Sequence, residues 1–82
     1  MKIRLVETCG ACPEQYDAFY KGRVVGYLRL RHGYFSVSCP FSGDEVVYSA
    51  HPKGDGLFDA DEQARYLKKA KKAIKKWIRA QR

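Results

Sequence analysis

The last eighteen residues contain no Asp or Glu, and that absence sets the electrostatics of the whole 82-residue chain. Arg65, Lys68, Lys69, Lys71, Lys72, Lys75, Lys76, Arg79 and Arg82 lie there uncompensated. Of sixteen Lys and Arg, seven remain elsewhere against nine Asp and Glu, so residues 1–64 sum to −2 and the +9 of this segment accounts for the whole net charge of +7. No run approaches the ~18 apolar residues of a transmembrane helix. The start, Met1-Lys2-Ile3-Arg4-Leu5-Val6-Glu7, lacks a long apolar signal region, which makes the cytoplasm the default compartment. Three cysteines are an odd count and argue against a disulfide framework. With only two histidines, His32 and His51, and no nucleophile–base motif, no catalytic set is present, so the reading is a non-enzyme. The acidic residues Asp55, Asp59, Asp61 and Glu62 lack calcium-loop spacing. Gly54-Asp55-Gly56 lacks the length and the Lys-Ser/Thr ending of a phosphate loop.

What is present is one small domain, short enough to bury only roughly 60–65% of its unfolded surface. Six Tyr, four Phe and one Trp enlarge that limited core. Lys2 to Glu7 alternates charged and apolar residues, as a half-buried strand does. Cys9-Gly10-Ala11-Cys12-Pro13 breaks the pattern, and Tyr16 to Tyr20 resumes it with Tyr16, Ala18 and Tyr20 on one side. Lys21-Gly22 and His32-Gly33 read as tight turns around a long strand, Arg23 to Arg31. Further strands follow at Tyr34–Cys39 and Glu45–Ala50, separated by the loop 40–44. The short turns predict an antiparallel meander of four strands, five with the N-terminal one, over residues 1–51. Residues 52–58 form a loop. A helix is expected from about Ala60 to Arg79, with Asp59 as N-cap and Glu62 completing a capping box. The fold class is therefore α+β, with one C-terminal helix covering a face of the sheet.

At ~100° per residue, Tyr66, Leu67, Ala70, Ala73, Ile74, Trp77 and Ile78 share one arc of that helix. The basic residues take the opposite arc. A solvated face usually mixes signs, yet Lys68/Lys72, Lys71/Lys75, Lys72/Lys76 and Lys75/Arg79 are all like-charged i,i+4 pairs. Each opposes the helix by a few tenths of a kcal/mol, roughly. That pattern favours a counter-charged partner over a merely solvated face. Lys68, Lys71, Lys72, Lys75, Lys76 and Arg79 are thus candidate contacts to nucleic acid or to an acidic protein. A membrane-surface helix anchored by Trp77 is an alternative, opposed by the sheet's need for the same apolar face.

On the long strand, Val24, Gly26, Leu28 and Leu30 share one side, expected to face the helix and to bury Trp77. Val25, Tyr27, Arg29 and Arg31 share the other, with Tyr34 and Ser36 from the next strand. Rings beside arginines suit single-stranded nucleic acid, so Tyr27, Arg29 and Arg31 form a weaker second candidate surface. Ordinary cross-strand pairing is the plainer account.

The spacing Cys9-Gly10-Ala11-Cys12, with Cys39 later, is similar to a zinc ribbon lacking one ligand. His51 is the candidate fourth ligand, His32 the substitute. Free cysteines are the competing reading. A redox pair is a further alternative, but that chemistry wants its first thiol at a helix N-terminus.

Cys12-Pro13-Glu14-Gln15-Tyr16-Asp17, Val25 to Gly33, and Gly54-Asp55-Gly56-Leu57-Phe58 together resemble small uncharacterised proteins of bacteriophages and prophages of Gram-positive bacteria. The resemblance implies a host bacterial cytoplasm. In that setting the resemblance implies a small basic protein that acts on nucleic acid, or one that inhibits a host nuclease or defence complex by protein–protein binding.

Overall fold

The computed structural model describes residues 1–9 and 13–81. Five strands run in chain order, β1 (Arg4–Cys9), β2 (Glu14–Tyr20), β3 (Arg23–Arg31), β4 (Tyr34–Cys39) and β5 (Glu45–Ala50). They form one antiparallel meander sheet of order β1-β2-β3-β4-β5, followed by helix α1 (Gln63–Ala80). The α+β class and the five-stranded count therefore hold.

Two turns fix the register. Lys21 and Gly22 have φ of 53° and 78°, and His32 and Gly33 have 53° and 72°. Two consecutive positive φ values match the twist of an antiparallel hairpin, and glycine takes the second position without strain. Tyr20 accordingly pairs with Arg23, and Arg31 with Tyr34.

Alternation buries Glu14, Tyr16 and Ala18 of β2, Gly26, Leu28 and Leu30 of β3, and Phe35, Val37 and Cys39 of β4 on one face. Helix α1 closes that face through Ala70 and Ile74, both with no exposed surface. Phe58 comes in from the loop before the helix. It packs edge-on against Phe35 at 5.0 Å and stacks on Tyr66 at 5.6 Å between centroids.

The face assignment of Val24 changes. Ala18 pairs with Gly26 but Phe19 pairs with Val24, so β3 carries an extra residue at Val25. A bulge reverses the alternation beyond it. Val25, not Val24, packs against the core. Trp77 is half-buried: it packs against the edge of the core and lines an open groove with Glu45, Val46 and Val47 of β5.

The helix also starts three residues later than the capping pattern predicts. Ala60 to Glu62 form a turn in which the Glu62 and Gln63 N–H groups donate to the Asp59 carbonyl. The Glu62 carboxylate does accept the Asp59 N–H at 3.2 Å, as a capping box requires. It also accepts the N–H groups of Lys53 at 2.6 Å and Gly54 at 3.1 Å. Glu62 is thereby buried as the hub of the loop 52–58, ahead of the helix proper. Burial pushes its pKa up, but the three N–H donors outweigh it and the net direction is below the ordinary glutamate range.

Candidate nucleic-acid interface

The seat of α1 decides where its charges point. Gly26 lies directly beneath Ile74; a Cβ there would stand 3.0 Å from Ile74 Cδ1. With Ala70 and Ile74 pressed to the sheet, the basic arc faces outward. Lys68, Lys72, Lys76 and Arg79 are exposed, while Lys71 and Lys75 are half-buried on its flank. The structure therefore gathers all six sequence-predicted residues on one helix surface.

None of them has a carboxylate partner among the described residues, where the one salt bridge is Lys53–Asp61 at 2.8 Å. In this exposed hydrogen-bonded pair the Asp61 carboxylate holds the Lys53 ammonium above its ordinary pKa, and Lys53 holds Asp61 below its own. Both lie in the turn region before the helix, away from the stripe. From Lys68 to Arg79 the axial rise is roughly 16 Å at 1.5 Å per residue. That length of duplex carries on the order of ten phosphate charges, so four to six contacts on the near side are geometrically available.

Two residues missed at the sequence level join the stripe. Arg65 and Lys69 both lie over the Tyr66 ring, at 5.0 and 5.6 Å from its centroid. Lys69 also lines an open groove of about 420 Å³ between α1 and β5, with Lys72, Lys76 and Arg79 above and Val47 and Tyr48 below. Burial pushes the Tyr48 phenol up, with Tyr66 adding to this and Arg65 opposing it. The spacings Arg65/Lys69 (i,i+4) and Lys69/Lys72 (i,i+3) would have included both residues in the stripe; their ring contacts depend on the tertiary placement of Tyr66.

Tyr27, Arg29 and Arg31 lie on the other side of the molecule. They alternate with the fully buried Leu28 and Leu30, so they face away from the helix. Arg29 pairs across the sheet with Gln15 and Ser36, and Arg31 with Tyr34. The helix stripe and this sheet face are two surfaces, not one.

The zinc reading requires correction. Cys9 ends β1 and Cys39 ends β4, with β2 and β3 between them. Three strand spacings of about 4.8 Å separate them by roughly 14 Å, and one ion at about 2.3 Å from each sulfur cannot bridge that gap. His51 follows Ala50, which pairs with Phe35, so it stands at the opposite end of β4 from Cys39. Its ring lies 5.4 Å from that of Tyr34. His32 sits in the turn at that same end. Cys12 and the knuckle 10–12 lie outside the described residues. Among the described residues no three His, Cys, Asp or Glu converge on a metal position. Cys39 is instead a buried core thiol beside the Gly26–Ile74 contact. Burial, with a contribution from Glu45, pushes its pKa up to about 11.

A buried acid was also missed. Glu14 is 4% exposed, and its carboxylate accepts from the Phe58 N–H at 3.0 Å, from Gln63 Nε2 at 2.8 Å and from the Tyr16 hydroxyl. Burial, then Glu14, push the Tyr16 phenol far above its ordinary range. The cluster ties β2 to the loop and to the first turn of α1, and so orients the helix. Extending the Tyr16–Ala18 alternation back by two residues would have placed Glu14 on the inner face.

No helix among the described residues is long and apolar enough to cross a membrane, and the apolar side of α1 is occupied by the sheet. Compared with protein-family models, curated proteins and solved structures, the chain matches none, so its chemistry rests on its own residues.

Proposed function

We propose that this chain is a small non-enzymatic binding protein that engages the phosphate backbone of nucleic acid through the outer face of α1. The supporting observation is the uncompensated stripe Lys68, Lys71, Lys72, Lys75, Lys76 and Arg79, held on a helix whose inner face is locked to the sheet. Like charges at i,i+4 oppose the helix, and phosphates at the same positions convert that repulsion into attraction. Phosphate contacts position a protein without reading sequence, so the binding is general rather than base-specific. The test is a salt titration of DNA and RNA binding. Four to six contacts give a slope of log K against log salt of about −4 to −5 on duplex DNA, shallower on single strands. No detectable binding by folded protein at low salt rejects the reading.

A second reading is favoured by the groove beside β5. That strand is a sheet edge, and edge strands accept a further extended segment. Lys69, Lys72, Lys76 and Arg79 overhang Val47 and Tyr48 there. An acidic extended segment of a host nuclease or defence protein fits this chemistry, as an inhibitor's target would. On the resemblance to phage proteins, either activity would act in a host bacterial cytoplasm. Capture of an acidic partner that is lost on Lys72→Glu/Lys76→Glu, with no nucleic-acid binding, selects this second reading.

A further inference from the structure

One helix covers one face of a five-stranded sheet, so the other face is open. Its residues follow from the register. One row runs Gln15, Arg29, Ser36 and Ser49 across β2 to β5, and Arg31 pairs with Tyr34 at the end of the sheet. Two shallow clefts of about 470 Å³ each flank the Arg29–Arg31 pair. The first is walled by Arg29, Arg31, His32, Tyr34 and Ser36 and contains no carboxylate. The second adds Gln15 and Asp55.

The two guanidinium groups are unspent. Arg29 Nε is buried without a hydrogen-bond acceptor among the described residues. Arg31 Nε donates only to the neighbouring His32 Nε2, at 3.3 Å. Neither forms a salt bridge with a described residue. A buried, unpaired N–H carries a desolvation penalty that an incoming acceptor removes. Beside them Tyr34 is 41% exposed, with the His51 ring tilted at 46° to its ring and 5.4 Å away between centroids. An exposed aromatic ring beside guanidinium groups offers a base a face to stack on. Ser36 and Gln15 supply small neutral hydrogen-bonding groups at the same level.

We propose that this open sheet face binds single-stranded nucleic acid, with Tyr34 stacking on a base and Arg29 and Arg31 holding the adjoining phosphates. Rings alternating with guanidinium groups suit splayed single strands, because every base presents a face to stack and the backbone passes beside it. A duplex hides its base faces and gains nothing from Tyr34. The surface is separate from the helix stripe, since the sheet lies between them.

The experiment measures fluorescence anisotropy of a labelled oligothymidylate of roughly twenty nucleotides and of a mixed-sequence duplex of the same length. The variants are Tyr34→Ala, Tyr34→Phe, Arg29→Gln/Arg31→Gln and Lys72→Glu/Lys76→Glu, each checked for folding by circular dichroism. Tyr34→Ala is expected to weaken single-strand binding by roughly fivefold to a hundredfold, the scale of one lost base stack. Tyr34→Phe retains it, because the ring remains. The arginine pair variant weakens the single strand and leaves the duplex within about twofold, since phosphate contacts act only on the surface that makes them. Lys72→Glu/Lys76→Glu has its larger effect on the duplex. Unchanged single-strand affinity in Tyr34→Ala overturns the proposal, even if the half-buried Arg29 variant fails to fold. Adenosine monophosphate competing as well as the oligonucleotide also overturns it, in favour of a free-nucleotide site. Duplex binding untouched by Lys72→Glu/Lys76→Glu sinks the helix reading alone, so the two surfaces stand or fall separately.

Discussion

Gly26→Ala tests how α1 is seated, and with it the direction of the basic stripe. An added Cβ would lie 3.0 Å from Ile74 Cδ1, 3.3 Å from Ile74 Cγ1 and 3.4 Å from Cys39 Sγ. Ile74 and Cys39 are essentially fully buried, so neither can turn outward. Overpacking of this kind costs about 1–3 kcal/mol. Replacing glycine where φ is not left-handed returns about 0.4–1 kcal/mol by restricting the unfolded chain. The net expectation is a loss of about 0–2.5 kcal/mol. For a chain of this size that lowers Tm by roughly 4–8 °C per kcal/mol. Ile74→Val removes Cδ1, the nearest atom, and alone costs about 0.5–1.5 kcal/mol. In the double variant the tightest contact is gone, so the two losses should not add; the expected coupling is about 1 kcal/mol in favour of the pair. Urea unfolding followed by far-UV circular dichroism gives the four free energies of the cycle. Additivity within about 0.5 kcal/mol, the behaviour of independent sites, would refute the close approach of α1 to β3.

Trp77→Ala should cost about 1.5–2.5 kcal/mol, near half of the usual loss for a fully buried ring, because Trp77 is half-buried on β5; urea unfolding measures it. Glu62 is held below its ordinary pKa in the folded state, so its contribution is present at neutral pH and is lost as pH falls from about 5 through the folded pKa. Thermal melts across that range should therefore show a steeper acid loss in the wild type than in Glu62→Gln, and parallel curves would contradict the role of its three N–H donors. Cys39, buried and with its pKa pushed up to about 11, should resist iodoacetamide at neutral pH in a Cys9→Ser/Cys12→Ser background until urea unfolds the chain. Rapid native labelling would refute its place in the core. Glu14→Ala leaves the Phe58 N–H and Gln63 without an acceptor, and hydrogen exchange in the loop 52–58 and the first turn of α1 should rise.

The sequence alone determined the parts that rest on local period and local turn chemistry. Alternation at period two placed β2 to β5, and Lys21-Gly22 and His32-Gly33 placed the hairpins, because a two-residue turn has few backbone solutions. The 3.6-residue period divided α1 into an apolar side, with Ala70 and Ile74 at its centre, and a basic side. Contiguous charge along one helix needs no tertiary information to be read, and the six stripe residues were legible for that reason. Tertiary structure decided what depends on partners distant in the chain. The extra residue at Val25 moved Val24 off the core face, and no local signal marks a bulge between two valines. The burial of Glu14 and Glu62 depends on N–H groups brought to their carboxylates by folding, Gln63 reaching Glu14 across 49 residues. The separation of Cys9, Cys39 and His51 follows from strand order, which ligand spacing in the chain does not encode. The division into a helix stripe and an open sheet face has the same origin, because a single helix can cover only one side of a sheet.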